Sequence, residues 1–169
     1  GGTDLVVGTR QGKRTLPETL VAIHRLPDLD GIGEERGALV LGALATHDAI
    51  EHSDLVRSRW TALADASAIV GSPATRHVGT IGGNLANASP AMELGSPLLV
   101  HGASLETTSG RSLAVADFLL GPGRTALEPG ELIARVVVPG PAASAYVRLE
   151  YRAAMEIAAF FSASGGVEA

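Results

Sequence analysis

Thr80-Ile81-Gly82-Gly83-Asn84 is the stretch on which the fold of this chain turns. Gly71 to Gly79, just before it, is dense in turn formers, and Leu85-Ala86-Asn87-Ala88-Ser89-Pro90 leads on into an apolar pattern of helical period. Two adjacent glycines free a backbone for positive φ and let a ligand approach its amide groups closely. Thr80 and Asn84 add a hydroxyl and a carboxamide at either end, both partners for phosphate or ribose oxygens. Taken alone, the same spacing also suits an ordinary glycine turn with polar flanks.

A second glycine pair opens the chain. Gly1-Gly2-Thr3-Asp4-Leu5-Val6-Val7 repeats the order of Gly-Gly, polar side chains and apolar run. Two such loops can close on one long anion, each presenting backbone donors to it.

The composition narrows the partners. At 169 residues the chain suits one domain or two small lobes sharing a ligand. Its apolar share is 46% and its aromatic share only 4%, so the core must be aliphatic. A net charge of −5 with scattered basic residues argues against a nucleic-acid partner. With no cysteine, the chain supplies neither disulfides nor thiolate ligands for iron–sulfur clusters. No signal peptide is seen, and the longest apolar runs, under about ten residues, are too short to span a bilayer. A cytoplasmic location is the expectation.

Local patterns predict short alternating elements. Asp4 to Arg10 suits a helical turn, Gln11 to Pro17 a loop, and Leu20-Val21-Ala22-Ile23 a buried strand ended at Leu26-Pro27. Ile32 and Ala38 to Ala43 pair as a hairpin around an acidic turn at Gly33 to Gly37. Thr46 caps a helix running to about Ser53, and Asp54 caps a second that carries Leu55, Val56, Trp60, Leu63, Ala64 and Ala68 on helical spacing, with Trp60 in the core. Ala91 to Val100 is helical with Pro97 inside it, and Asp117 to Leu120 is a further helical turn. Strands are expected at His101 to Thr107, Arg111 to Ala114, Leu132 to Val138 and Ala145 to Glu150. Met155 to Phe161 begins another, which Ser162 to Ala169 are too small and polar to finish. The sum is an α+β fold.

Several motifs nearly fit and fail. Gly8 to Arg14 is one residue short of a Walker loop and places Arg14 where the Mg²⁺-binding hydroxyl belongs. Gly31 to Gly37 is one residue too long for a dinucleotide fingerprint, and Glu34 and Glu35 would repel a pyrophosphate. His47 and His52 stand about 140° apart around a helix, so they cannot share a metal. No metal is expected, and neither a Gly-x-Ser-x-Gly elbow nor a Cys–His nucleophile is present.

The paired motifs Gly-Gly-Thr-Asp-Leu and Thr-Ile-Gly-Gly-Asn-Leu resemble those of the FAD-binding domain of molybdopterin dehydrogenases, a family that includes the flavin subunits of xanthine dehydrogenase and aerobic carbon monoxide dehydrogenase. The likeness continues through Arg76, Ala88-Ser89-Pro90, Asp117-Phe118 and Leu127-Glu128-Pro129-Gly130-Glu131-Leu132. It implies a two-lobed fold of the PCMH-type, vanillyl-alcohol-oxidase-like kind with FAD between the lobes. Residues 1–53 would be the remainder of the first lobe and 54–169 the second. In the family a strand and helix precede the first glycine loop and a further domain follows, so the chain is expected to be incomplete at both ends.

The resemblance assigns cofactor contacts to Gly1, Gly2, Thr3, Asp4 and Leu5, and to Thr80, Ile81, Gly82, Gly83 and Asn84. The backbone amides of both loops would face the pyrophosphate, which needs donors rather than a counter-charge if water is kept out. Asn87 is a further contact. Glu93 stands where aspartate is usual, Leu132 or Ile133 should pack against the flavin end, and Arg148 replaces a lysine close to the flavin. Thr75 and His77 depart from the usual isoleucine and asparagine. The implied function is electron transfer through FAD between a [2Fe-2S] subunit and NAD⁺, quinone or oxygen, while a molybdenum-cofactor subunit oxidises the substrate. The assembly would be a heterotrimer or its dimer. The competing readings are another flavoprotein reductase of the same fold, and a non-catalytic fragment or interaction module that no longer holds FAD.

Overall fold

Leu39 and Leu41 on one strand, Leu105 on a second, and Val136 and Val138 on a third are fully buried, while the residues between them, Val40, Glu106, Arg135 and Val137, are only partly covered. That two-residue period gives the central sheet one face toward a core and one toward solvent. The computed structural model describes residues 2–141, 143–149 and 160–165. In chain order these form α1 (Thr3–Arg10), β1 (Ile32–Glu35), β2 (Ala38–Gly42), α2 (His47–His52), α3 (Asp54–Arg59), α4 (Thr61–Ala68), α5 (Pro73–Arg76), α6 (Ile81–Asn87) and α7 (Gly95–Val100). There follow β3 (Ser104–Thr107), β4 (Ser112–Ala114), α8 (Val115–Phe118), β5 (Leu119–Gly121), β6 (Arg124–Thr125), β7 (Ile133–Val138), β8 (Ser144–Leu149) and β9 (Phe160–Gly165).

The five-stranded sheet runs β1-β2-β7-β3-β4, with each neighbouring pair antiparallel. In register, Leu39 faces Val138, and Leu41 and Leu105 both face Val136. Ile50, Val56, Trp60, Leu63, Ile81, Leu85 and Leu98 complete this core from the helices. On the open face Arg135 is ion-paired to Glu106 at 2.9 Å and to Glu35 at 3.4 Å. β8 and β9 form a separate antiparallel pair, β8 packing on α4 and β9 on α7. The α+β expectation is met, and Ile50 and Val56, on either side of the boundary drawn at residue 53, share one buried cluster.

Caps formed largely where local chemistry directs. The Thr46 hydroxyl accepts from the Ala49 amide at 3.1 Å. Ser53, not Asp54, caps α3, accepting from the Val56 amide. The helix expected from Asp54 to Ala68 divides at Trp60, whose φ of −130° leaves the helical region. The divide lets the indole sink wholly into the core and donate from Nε1 to the Pro139 carbonyl at 2.9 Å, tying the helices to the end of β7. Of the expected helix at 91–100, only Gly95–Val100 is the α7 helix, with Pro97 in its first turn, where no intrahelical N–H is required.

Two strand expectations are corrected. Leu20-Val21-Ala22-Ile23 takes no regular structure, and Leu20 and Val21 are 61% and 82% exposed. The run pairs with no strand among the described residues and forms one wall of a cavity instead. At the other end, residues 155–159 of the expected strand lie outside the described residues. β9 continues through Ser162 to Gly165, the part thought too small and polar, because pairing with β8 satisfies its backbone whatever the side chains. Glu34 and Glu35 likewise belong to β1, and the turn falls at Arg36-Gly37, both at positive φ.

Candidate functional site

Gly2 stands at the start of α1 and Gly82-Gly83 in the first turn of α6, and the two starts line one groove. Gly2 precedes α1 at a φ of 91°, in the left-handed region where glycine carries no side-chain strain. The first internal bond of α1 runs from the Val6 amide to the Gly2 carbonyl at 3.0 Å, and no side chain caps the helix. The amides of Thr3, Asp4 and Leu5 therefore belong to the open first turn. Gly1 lies outside the described residues.

α6 is built differently. Thr80 is its cap, the hydroxyl accepting from the Gly83 amide at 3.1 Å. The Ile81 amide donates to Ala45 at 3.0 Å and the Gly82 amide to Ala43 at 2.9 Å. The expectation that both loops present free backbone amides is thus corrected: in the second loop the Ile81 and Gly82 amides are spent on the turn that follows β2. Neither Gly82 nor Gly83 has positive φ. A Cβ on Gly82 would lie 2.7 Å from both the Cβ and the carbonyl oxygen of Ala43, so this glycine serves helix-to-strand packing. Gly83 is exposed, and a Cβ there would meet only the Thr80 hydroxyl, at 3.1 Å.

Two cavities adjoin this helix start. The first, of about 470 Å³, is lined by Gly2, Thr3, Asp4, Leu5, Thr80, Gly83, Asn84, Asn87 and Glu93 among the expected residues. The second, of about 450 Å³, is mainly apolar, walled by Leu20, Val21, Ile23, Leu44, Leu132 and Ile133. Gly2, Thr80, Gly83 and Ala86 line both, which makes them two halves of one groove. Gly82 touches the apolar half, Ile81 is buried in the core, and Arg148 lines neither half.

The polar half holds groups with unused capacity. The Asn84 Oδ1 is buried and has no hydrogen-bond partner among the described residues. Glu93 is half-buried, and loss of water pushes its carboxyl up, reinforced by Asp4 and opposed by its own backbone and by Arg148. Replacing Arg148 with leucine should therefore raise the Glu93 carboxyl further. A ¹³C-detected titration of that side chain reads the shift, and an unmoved Glu93 would place the Arg148 charge elsewhere.

Leu132 is set by a clamp. The Thr108 amide donates to the Leu132 carbonyl at 2.9 Å, and the Leu132 amide to the Thr108 hydroxyl at 3.1 Å. Next to it Glu131 accepts from the Glu128 amide at 2.9 Å, from Ser109 and from Arg111 at 2.8 Å. The Glu128 amide first, then the Ser109 and Thr107 hydroxyls, hold this carboxyl down to about 2.

Sequence reasoning missed His47, Arg14 and Met92, all in the polar lining. His47 turns inward and His52 outward, the separation their spacing requires. His47 is 2% exposed, its ring packs on Gly79, and its Nδ1 has no partner among the described residues. Burial first, then Arg76, lowers its pKa to about 4. Because the folded value lies below the unfolded one, stability is full above about pH 6.5 and falls as pH drops toward 4. The loss is on the order of 3 kcal/mol. Denaturant unfolding across that window, compared with His47→Asn, should show a steeper pH slope in the wild-type chain, and equal slopes would contradict the assignment. On the surface Asp48, Glu51 and His52 bring their ligand atoms within 4.8 Å of one another, but Glu51 already pairs with Arg76 at 2.8 Å and Asp48 with His77 at 3.1 Å.

A groove with a polar and an apolar half, lined by two helix starts, has the shape and chemistry for an elongated amphipathic ligand. Comparison with known proteins supplies the family. Residues 1–141 match the family described as the FAD binding domain in molybdopterin dehydrogenase, and the chain belongs to that family. It is 36% identical over 128 residues to the carbon monoxide dehydrogenase medium chain of Afipia carboxidovorans, covering 74% of this chain and 44% of that one. It is also 36% identical over 166 residues to the nicotinate dehydrogenase FAD-subunit of Eubacterium barkeri, covering 93% and 56%. Among solved structures, quinoline 2-oxidoreductase from Pseudomonas putida 86 superposes with a TM-score of 0.90 at 28% identity, over 97% of this chain and 58% of that one. A Cu,Mo-CO dehydrogenase superposes at 0.87 with 33% identity, over 93% and 56%. The chain thus spans about half the length of these relatives.

The residues present fit FAD. The open backbone at Gly83, the uncapped first turn of α1 and the orphaned Asn84 oxygen suit its polar half, and the Leu132 side suits its ring. No helix among the described residues is long and apolar enough to cross a membrane.

Proposed function

We propose that this chain is the FAD-holding part of a medium subunit in a molybdenum hydroxylase, and that it relays electrons between an iron–sulfur subunit and an acceptor such as NAD⁺, quinone or oxygen. The observation that carries the reading is the shared lining of the two cavities by Gly2, Thr80, Gly83 and Ala86, which lets one amphipathic ligand occupy both. Bound FAD supplies one- and two-electron chemistry that no side chain offers. The protein's own task is to bind, orient and shield it.

In this reading Gly1 to Leu5, Thr80, Gly83, Asn84, Asn87 and Glu93 hold the polar part. Leu132 and Ile133 cover the apolar part, Ile81 and Gly82 fix the helix that carries the site, and Arg148 acts through Glu93. These 169 residues contain no cysteine, so they offer no thiolate ligand for an iron–sulfur cluster. A [2Fe-2S] subunit and a molybdenum-cofactor subunit, in a heterotrimer or its dimer, are the partners the reading requires, with the cytoplasm as the compartment.

The test is to supply FAD to the purified chain and follow reduction of an acceptor dye by aldehyde or purine substrates, with and without the partner subunits of a relative. Turnover only with partners is expected. Substrate-dependent turnover by this chain alone would contradict the reading. With no histidine or cysteine in either glycine loop to make a covalent link, acid precipitation should release the flavin into the supernatant.

A further inference from the structure

The polar half of the groove poses an electrostatic problem. Asp4 and Glu93 both line it, and both are carboxylic acids facing the space in which a doubly charged pyrophosphate would sit. His47 is kept neutral by burial and offers no countercharge. Among the described residues that line this half, Arg14 is the only lysine or arginine.

Arg14 is also held in place. Its amide and that of Lys13 both donate to the Gly8 carbonyl, at 3.2 and 2.9 Å, closing the turn after α1. Its methylenes lie against Gly8 so closely that a Cβ there would come within 3.2 Å of Cδ. Its guanidinium donates to the Asn87 Oδ1 on α6, at 3.3 Å, across 73 residues of sequence. Among the described residues that is the one side-chain bond of Arg14, and a guanidinium carries five N–H donors.

We propose that Arg14 is the cation that holds the pyrophosphate of FAD, bridging α6 and the turn after α1 over the polar half of the groove. The proposal rests on the reading that this groove binds FAD. It replaces the expectation that backbone donors suffice, because the second loop's amides are already spent and two carboxylic acids share the lining. It also gives a use to Gly8–Arg14, a stretch that fails as a Walker loop. The glycine makes room for the arginine stem, and the arginine, not a hydroxyl, meets the phosphates.

Titrations of FAD, ADP and riboflavin into the wild-type chain, Arg14→Gln and Arg14→Lys separate a phosphate contact from a structural one. Arg14→Gln should weaken FAD and ADP about tenfold to a hundredfold, as loss of a charge-assisted contact does. Riboflavin, which has no phosphate, should stay within about twofold, and Arg14→Lys should recover part of the loss. Unchanged FAD and ADP binding would overturn the proposal, and so would an equal loss for riboflavin. If Arg14→Gln does not fold, the wild-type chain decides: rising salt should weaken FAD but not riboflavin, and equal salt dependence overturns it. A folded wild-type chain that binds none of the three sinks the FAD reading itself and this inference with it.

Discussion

Gly83→Val should abolish FAD binding, raising Kd at least about a hundredfold, while the chain stays folded. Gly83 lines both halves of the groove, so isopropyl groups there would stand in the path of any ligand that spans them. The fold has little reason to object. The residue is exposed, its φ is not positive, and its Cβ would meet only the Thr80 hydroxyl at 3.1 Å. Within a helix, valine for glycine is neutral or mildly favourable, by roughly 0.5 kcal/mol or less. Asn84→Ala should cost less, about 1–3 kcal/mol of binding, because it removes one hydrogen-bonding group and blocks nothing. Equal or reversed losses would mean that the ligand does not pass over Gly83.

Gly82→Ala should have the opposite profile: a loss of stability with FAD binding impaired only as far as the fold is. Propensity alone favours alanine in a helix by about 1 kcal/mol. The new methyl would, however, lie 2.7 Å from the Cβ and carbonyl oxygen of Ala43, and that strand-end backbone cannot swing aside as a flexible side chain can. Overpacking of this kind costs about 1–3 kcal/mol, and more where backbone is struck. The same carbonyl accepts the Gly82 amide at 2.9 Å, so any displacement also breaks that bond. Chemical denaturation of Gly82→Ala and Gly83→Ala side by side reads the difference. A stable Gly82→Ala would show that α6 can slide away from β2 at little cost.

These two neighbours show what the sequence made legible. The glycine pair marked a place where other groups come close to the backbone, because glycine chemistry is local, yet both glycines lie within α6 and neither takes the positive φ of a turn. Which glycine opens onto the groove and which packs on Ala43 depends on contacts across nearly forty residues of sequence, and nothing local encodes it. The hairpin of β1 and β2, the Thr46 cap and the strands that became β3, β4 and β7 were equally readable from alternation and turn residues. Trp60 was placed in the core correctly, yet its break of the helix follows from the Pro139 carbonyl it reaches, a distant partner. Leu20 to Ile23 misled because an apolar run looks the same whether it fills a sheet or walls a cavity. Arg14 and His47 escaped for a related reason. An arginine after a failed motif and a histidine in a first helical turn acquire meaning only once α6 is set beside them.

Equilibrium binding of FAD to the purified wild-type chain, followed by quenching of flavin fluorescence with Gly83→Val as the folded control, tests the central claim most directly. A saturable, one-to-one isotherm that disappears in Gly83→Val is the result expected if the groove between the starts of α1 and α6 holds the cofactor. A wild-type chain shown to be folded by circular dichroism, yet taking up no FAD or binding it equally well as Gly83→Val, would contradict it.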